Sequence, residues 1–290
     1  MIKNTNDGTN HDPYLRLDIN YGNCYDLPEF STGPRGSDEV KHKAIKEAGY
    51  SGVQDGDPKL CKELGLEMTA HARINKIGEL DDLLPKWKNG NYNCATLHVG
   101  WGMESDQEID QLVQYVIDCS EKYNFPIYIE THRSTITQDM QRTVEMIKRF
   151  PEVRFNGDFS HWYTGQEMVY GGPETKWDFI APVFDRVRFM HARIGNPGSI
   201  QVNIDDGKNQ VYVDHFREMW IRAFIGFLKS AQPGDYLCFT VELLQSEIFY
   251  AHLIENEKGE KVEESDRWEQ ALLYTEIAKE CWEEAKKRVG

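Results

Sequence analysis

Short apolar runs along this chain alternate with longer stretches in which apolar residues return every three or four positions. The first pattern marks buried strands and the second amphipathic helices. Strands are expected at 15–20, 49–54, 66–70, 94–99, 126–130, 153–158, 187–191 and 236–242. Helices are expected at 37–48, from 58 onward, around 80–88, and at 104–123, 137–150, 177–184, 214–230 and 265–288. The stretch 104–123 is the clearest, with Ile109, Leu112, Val113, Val116 and Ile117 at helical spacing behind an acidic first turn. Asp57-Pro58 reads as a cap followed by a first-turn proline.

Strands and helices alternating eightfold over 290 residues predict an α/β fold of the (β/α)8 TIM barrel type, as one domain over 1–290. A doubly wound sheet would carry a glycine-rich phosphate turn after its first strand, and Asn20-Tyr21-Gly22-Asn23 is not one. Residues 1–12 read as a flexible polar tail. The segment 194–213, with Gly195, Pro197, Gly198 and Gly207, reads as an extended loop over the barrel mouth or against a neighbouring subunit.

In such a barrel all strand C-termini converge on one face. There the expected strand ends place His71, His98, Glu130, His132, Asp158, His191, Arg193 and Glu242, while the opposite ends show no comparable set. Four successive strands finish in Glu130, Asp158, His191 and Glu242. A buried carboxylate costs several kcal/mol unless a cation or donors offset it. Each residue has a plainer reading: Asp158 as a helix cap, His191 as a core histidine on a carbonyl, the glutamates paired with Arg133 or Arg193. Together they form a hard, oxygen-rich set suited to one divalent ion, Mn²⁺ or Mg²⁺ first, with Co²⁺ or Zn²⁺ also accommodated.

His71, His98, His132 and His161 would then contact substrate, exchange protons or satisfy nearby carbonyls. Arg193 would hold a substrate oxygen or pair with a ligand carboxylate. Trp101 and Trp162, in the loops after the fourth and sixth strands, would stack on a sugar's apolar face or cover the rim.

Charge narrows the partners. A net charge of −15 repels polyanions, which argues against nucleic acid and anionic membrane surfaces. No apolar run approaches the roughly 18 residues of a membrane span. The six scattered cysteines contain no Cys-x-x-Cys pair, and the start shows no apolar leader, so a reduced, cytoplasmic protein is expected. A small-molecule ligand fits this picture, and a homo-oligomer remains compatible with it.

Gly49-Tyr50-Ser51-Gly52-Val53, Glu130-Thr131-His132-Arg133, Asp158-Phe159-Ser160-His161, His191-Ala192-Arg193 and Glu242 together resemble the xylose isomerase-like TIM barrels, the superfamily of sugar (phosphate) isomerases and epimerases. The resemblance implies a metal held by Glu130, Asp158, His191 and Glu242, in strand order. It implies an isomerase or epimerase acting on a sugar or sugar-like polyol, in which Glu130 and Glu242 move a proton next to a carbonyl through a metal-stabilised enediolate. The alternatives are a metal-dependent lyase or dehydratase on a keto-sugar, inosose or keto-glycoside, or a carbohydrate-binding barrel without turnover. The superfamily's zinc endonucleases need an Asp-x-His after the seventh strand. Here Asp214 and His215 are adjacent, so DNA cleavage is not expected.

Overall fold

The computed structural model describes residues 2–290. Its strands are β1 (Thr5–Asn6), β2 (Tyr14–Asn20), β3 (Gly52–Gln54), β4 (Glu67–Ile74), β5 (Ala95–Val99), β6 (Ile127–Glu130), β7 (Phe155–Asn156), β8 (Val187–Ala192), β9 (Asp235–Val241), β10 (Leu253–Glu255) and β11 (Lys261–Glu263). Its helices are α1 (Asp38–Glu47), α2 (Pro58–Leu64), α3 (Leu83–Asn89), α4 (Asp106–Tyr123), α5 (Met140–Arg149), α6 (Ser160–Gly165), α7 (Pro173–Phe179), α8 (Ala181–Phe184), α9 (Val211–Leu228) and α10 (Arg267–Val289). β2 to β9 pair in chain order, each parallel to the next. β9 then returns to β2 from Tyr14↔Tyr236 to Ile19↔Val241, which closes the barrel.

Local chemistry sets the helix ends. Ser105 and Glu108 form a capping box at the start of α4, and Asn124 ends that helix in the left-handed region. Asp57 accepts from the Lys59 and Leu60 amides at 2.9 Å, with Pro58 in the first turn of α2. Ile109, Leu112, Val113, Val116 and Ile117 are all buried against the barrel, as their spacing requires. No helix among the described residues is long and apolar enough to cross a membrane.

Three departures from the expected elements matter. The sixth barrel strand shrinks to Phe155–Asn156, with a register shift against β8. Beyond it, the chain turns at Gly157-Asp158 into α6, a helix too short for its periodicity to be read from sequence. The N-terminal residues are not a free tail. Ile2 is buried, and β1 pairs antiparallel with the start of β9, below the point where β8 begins its own pairing. Finally, β10 and β11 form an antiparallel hairpin between β9 and α10.

The segment 194–213 leaves the C-terminal end of β8 and buries Ile200, Val202 and Ile204. It is tied to the exit of β9 by Gln201 and Leu244, which exchange two bonds of 2.9 and 3.0 Å, and to α10 by Gln270, which accepts from the Ile204 amide at 2.9 Å.

Candidate functional site

At the mouth, Glu130 ends β6, Asp158 follows β7, His191 lies within β8 and Glu242 follows β9. Ligand atoms of Glu130, Asp158 and His191 lie within 4.8 Å of one another, and all three residues are at most 1 % exposed. Glu242 joins them through His191, its Oε2 standing 3.6 Å from Nδ1. Strands β2 and β3 hold the imidazole from behind. Gln54 donates through Nε2 to Thr96 at 3.1 Å, so its Oε1 is left to accept, from Asn20 at 3.0 Å and from His191 Nε2 at 2.7 Å. Nε2 therefore carries a proton, and Nδ1 faces Glu130 Oε2 at 3.1 Å and Glu242 Oε2 at 3.6 Å. Nδ1 is buried and makes no hydrogen bond. Two carboxylates crowded on one ring nitrogen draw a positive charge there, a proton in the metal-free protein or a metal ion in its place. A histidine whose other nitrogen is anchored by a second residue is the usual form of a metal ligand. The donors present fit a divalent ion.

The electrostatics separate the carboxyls. Burial works to raise Glu130, but His191 and His98 outweigh it and hold the group well below the usual carboxylate range. Asp158 is likewise lowered, burial being overcome by Arg193 and His161. Burial prevails at Glu242 and raises it, despite His191 and the Arg193 guanidinium 3.0 Å away. Burial opposes a charge on His191 too, yet Glu242 and Glu130 push it up to about 9. Arg193 bridges Asp158 and Glu242, and its Nε also donates to Ser160 at 3.1 Å, so within the protein it is the partner of these two carboxylates.

Beside this cluster runs a row of imidazoles. Ring centroids are 4.4 Å apart for His71 and His98, 3.9 Å for His98 and His132, and 3.7 Å for His132 and His161. Burial, then the neighbouring imidazole, pushes His71 down to about 3 and His132 down to about 2, so both are neutral near pH 7. His98 reaches Glu130 Oε1 at 3.2 Å.

No protein-family model and no curated protein matches the sequence. Solved structures do match the fold. A D-tagatose 3-epimerase-like protein aligns with TM-score 0.55 at 13 % identity, over 95 % of this chain and all of its own. A xylose isomerase-like TIM barrel protein from Mycobacterium smegmatis, in complex with magnesium, aligns with TM-score 0.53 at 12 % identity, over 92 % and 97 %. A probable 3-DHS dehydratase from Bacillus anthracis aligns with TM-score 0.52 at 14 % identity, over 81 % and 94 %. The fold is that of the xylose isomerase-like TIM barrels.

Within this xylose isomerase-like barrel, the two tryptophans part company. Trp101 is 49 % exposed on the rim and stacks with Arg73, 4.1 Å from its ring centroid. Trp162 is wholly buried in α6, its indole N–H donating to the Thr137 carbonyl at 2.8 Å. It belongs to the core and has no face to offer a sugar. The side chain over the imidazoles is one the sequence did not single out. Tyr250, after β9, places its hydroxyl 3.3 Å from His132 Nε2 and its ring 4.5 Å from Arg193 and 5.2 Å from Arg133. Asn20, Gln54 and Asn156 were also missed. Asn156 donates to Glu130 Oε2 at 3.0 Å and accepts from the His191 amide at 2.8 Å. Their signal was present, since each is a polar residue ending an apolar strand. An amide, however, reads as a strand terminator rather than as a support.

Proposed function

We propose that this barrel is a divalent-metal-dependent isomerase or epimerase, moving a proton on a carbon next to the carbonyl of a sugar or sugar-like polyol. The observation that carries the reading is His191, anchored through Nε2 by Gln54 and with its buried Nδ1 aimed between Glu130 and Glu242. A metal held by Glu130, Asp158, His191 and Glu242, Mn²⁺ or Mg²⁺ by donor hardness, would polarise the carbonyl and its neighbouring hydroxyl as a Lewis acid. Glu242, pushed up by burial, is the more basic of the two carboxyls and the one suited to take and return a proton. Glu130, held down by two imidazoles, is the steadier anion and serves the opposite face. Arg193 fixes Asp158 and Glu242 against rotation. His132 and His161, both held down by burial, are neutral donors or acceptors for hydroxyls, His98 stands beside them, and Tyr250 excludes water above the row.

A second reading keeps the same proton abstraction but expels a group beta to the resulting carbanion, as a lyase or dehydratase would. The row of imidazoles favours it, because an imidazole N–H beside the site can donate a hydrogen bond to the leaving oxygen while the proton taken up by the glutamate is returned to that oxygen. Fold neighbours described as an epimerase-like protein and as a probable dehydratase agree with both chemistries.

The test is C–H exchange with solvent deuterium, followed by NMR for a panel of ketoses and keto-glycosides with Mn²⁺ present. Metal-dependent exchange without loss of water or glycoside supports the epimerase or isomerase. Exchange accompanied by elimination selects the lyase. Absence of both exchange and saturable Mn²⁺ binding would leave a binding barrel and sink the proposal.

A further inference from the structure

The opposite end of the barrel, its floor, holds a cavity of about 560 Å³ between the N-terminal segment and the starts of β7, β8 and β9. Lys3, Asn4, Arg154, Arg188, Ser230 and Asp235 line it. Arg154 and Arg188 are 9 % and 3 % exposed. Neither forms an ion pair among the described residues, although buried guanidiniums are ordinarily matched by carboxylates. Arg188 gives its Nε to Asn4 Oδ1 at 2.7 Å, its Nη2 to Ser230 at 2.8 Å, and its Nη1 to two backbone carbonyls, all neutral acceptors. Arg154 gives Nη1 to the Pro151 and Val153 carbonyls at 3.1 and 2.8 Å, and its buried Nε has no partner.

The carboxylates nearby do not close this deficit. Asp235 has its oxygens bonded by Asn4 at 2.7 Å, Asn6 at 2.7 Å and the Gln232 amide at 2.9 Å. Glu152 is close enough to be felt by Arg154 but forms no ion pair with it among the described residues. Burial and the repulsion of Arg154 push Arg188 down to about 10, and burial with Arg186 lowers Arg154. A guanidinium does not give up its proton at such values, so these directions report positive charge lacking a counter-charge. The surplus is local, since the chain as a whole carries −15.

We propose that this floor cavity is a binding site for a small oxyanion, a phosphoryl or carboxylate group, received by Arg154, Arg188 and Lys3. A guanidinium presents donors in a planar fork that matches either group, and charge-assisted bonds of this kind are among the strongest available. Arg154 Nη2, which no acceptor among the described residues takes, is the donor left for the anion, and the added charge offsets the unpartnered Nε behind it. The bound anion also ties the N-terminal segment to the barrel, because Asn4 already bonds Arg188. The site is independent of the mouth and of any reaction there.

The experiment is calorimetric titration of the metal-free, full-length protein with inorganic phosphate and, separately, with citrate, alongside Tm measured with and without each anion. Saturable binding with a rise in Tm is expected for at least one probe. A response to phosphate alone assigns a phosphoryl group, and a response to citrate alone assigns a carboxylate. Arg154→Met should weaken binding by about tenfold or more, the worth of a charge-assisted hydrogen bond, while leaving the anion-free Tm unchanged or higher. Lys3→Met, a milder change at an exposed side chain of the cavity, should weaken binding without unfolding the protein. If neither anion binds, or if both variants bind as the parent does, the proposal is overturned. It is equally overturned if Arg154→Met lowers the anion-free Tm and leaves the anion response intact, which is the behaviour of a purely structural arginine.

Discussion

On β2, near the floor, Arg16 and Asp18 answer each other completely. Arg16 Nε sits 3.0 and 3.1 Å from the two Asp18 oxygens, Nη2 donates at 2.7 Å, Nη1 turns to Asn93 at 2.8 Å, and the guanidinium rests 4.6 Å from the Tyr236 ring centroid. At the mouth the same depth of burial leaves valences open. His191 Nδ1, His161 Nδ1 and His71 Nε2 have no hydrogen-bond partner, and three carboxylates surround one imidazole and one guanidinium. Burial and polarity are equal at the two places, so neither identifies a site. What separates them is satisfaction: a structural polar group completes its bonds within the protein, and a functional one keeps a bond for something else.

The sharpest way to break this comparison is to remove the acid–base capacity of the mouth without changing its shape. Glu130→Gln and Glu242→Gln should each lower turnover by about 10²–10⁴-fold, the usual cost of losing a general base. Saturating Mn²⁺ should not restore it, and urea midpoints should stay close to the parent's. Full rescue by metal would reduce both residues to ligands.

The reverse experiment is Asp18→Ala, which leaves Arg16 charged, buried and unpaired. Breaking one side of a buried pair costs about 3–5 kcal/mol, read as a fall in the urea midpoint, with Mn²⁺ affinity unchanged while the protein is folded. A smaller version is Gly52→Ala. A Cβ at Gly52 would lie 2.6 Å from Asp18 Oδ1, and that carboxylate is pinned by Arg16 and has nowhere to go. Overpacking of this kind costs about 1–3 kcal/mol.

The mildest test uses acid. His71 and His132 titrate near 6.5 when unfolded but at about 3 and about 2 in the folded metal-free protein. Between those values the unfolded chain binds more protons, so stability is complete above about 6.5 and declines as pH falls toward 3. Urea midpoints in chelator should drop between pH 7.5 and 5, and His71→Gln with His132→Gln should flatten that slope. An unchanged slope would show these imidazoles to be better solvated than their burial indicates.

Most of the barrel was legible because its signals are local: apolar runs for strands, helical spacing and the Ser105 and Asp57 caps for helices. The convergence of Glu130, Asp158 and His191 was legible because parallel strands make position along the chain equivalent to position at the mouth. Illegible were features fixed only by contact. Asn20, Gln54 and Asn156 matter through partners remote in sequence. Tyr250 reaches the imidazoles from an irregular segment whose preceding residue, Phe249, is in the left-handed region, and no propensity announces that path. Trp162 looked available because it follows a strand end, but the turn into α6 carries it inward. The strand expected at 153–158 broke early for the same reason, with Asp158 needed at the turn rather than in the sheet.

The pairing of β1 with β9 bears on how the protein is made. Thr5 donates to the Tyr236 carbonyl, and the Asp7 amide to that of Gly234, across nearly the whole length of the chain. On a ribosome, which delivers the chain from its N-terminal side, β1 has no strand partner until β9, the last strand of the barrel, has emerged. Closure of the barrel therefore comes as a late event that joins segments 231 residues apart. Contacts of such sequence separation slow folding.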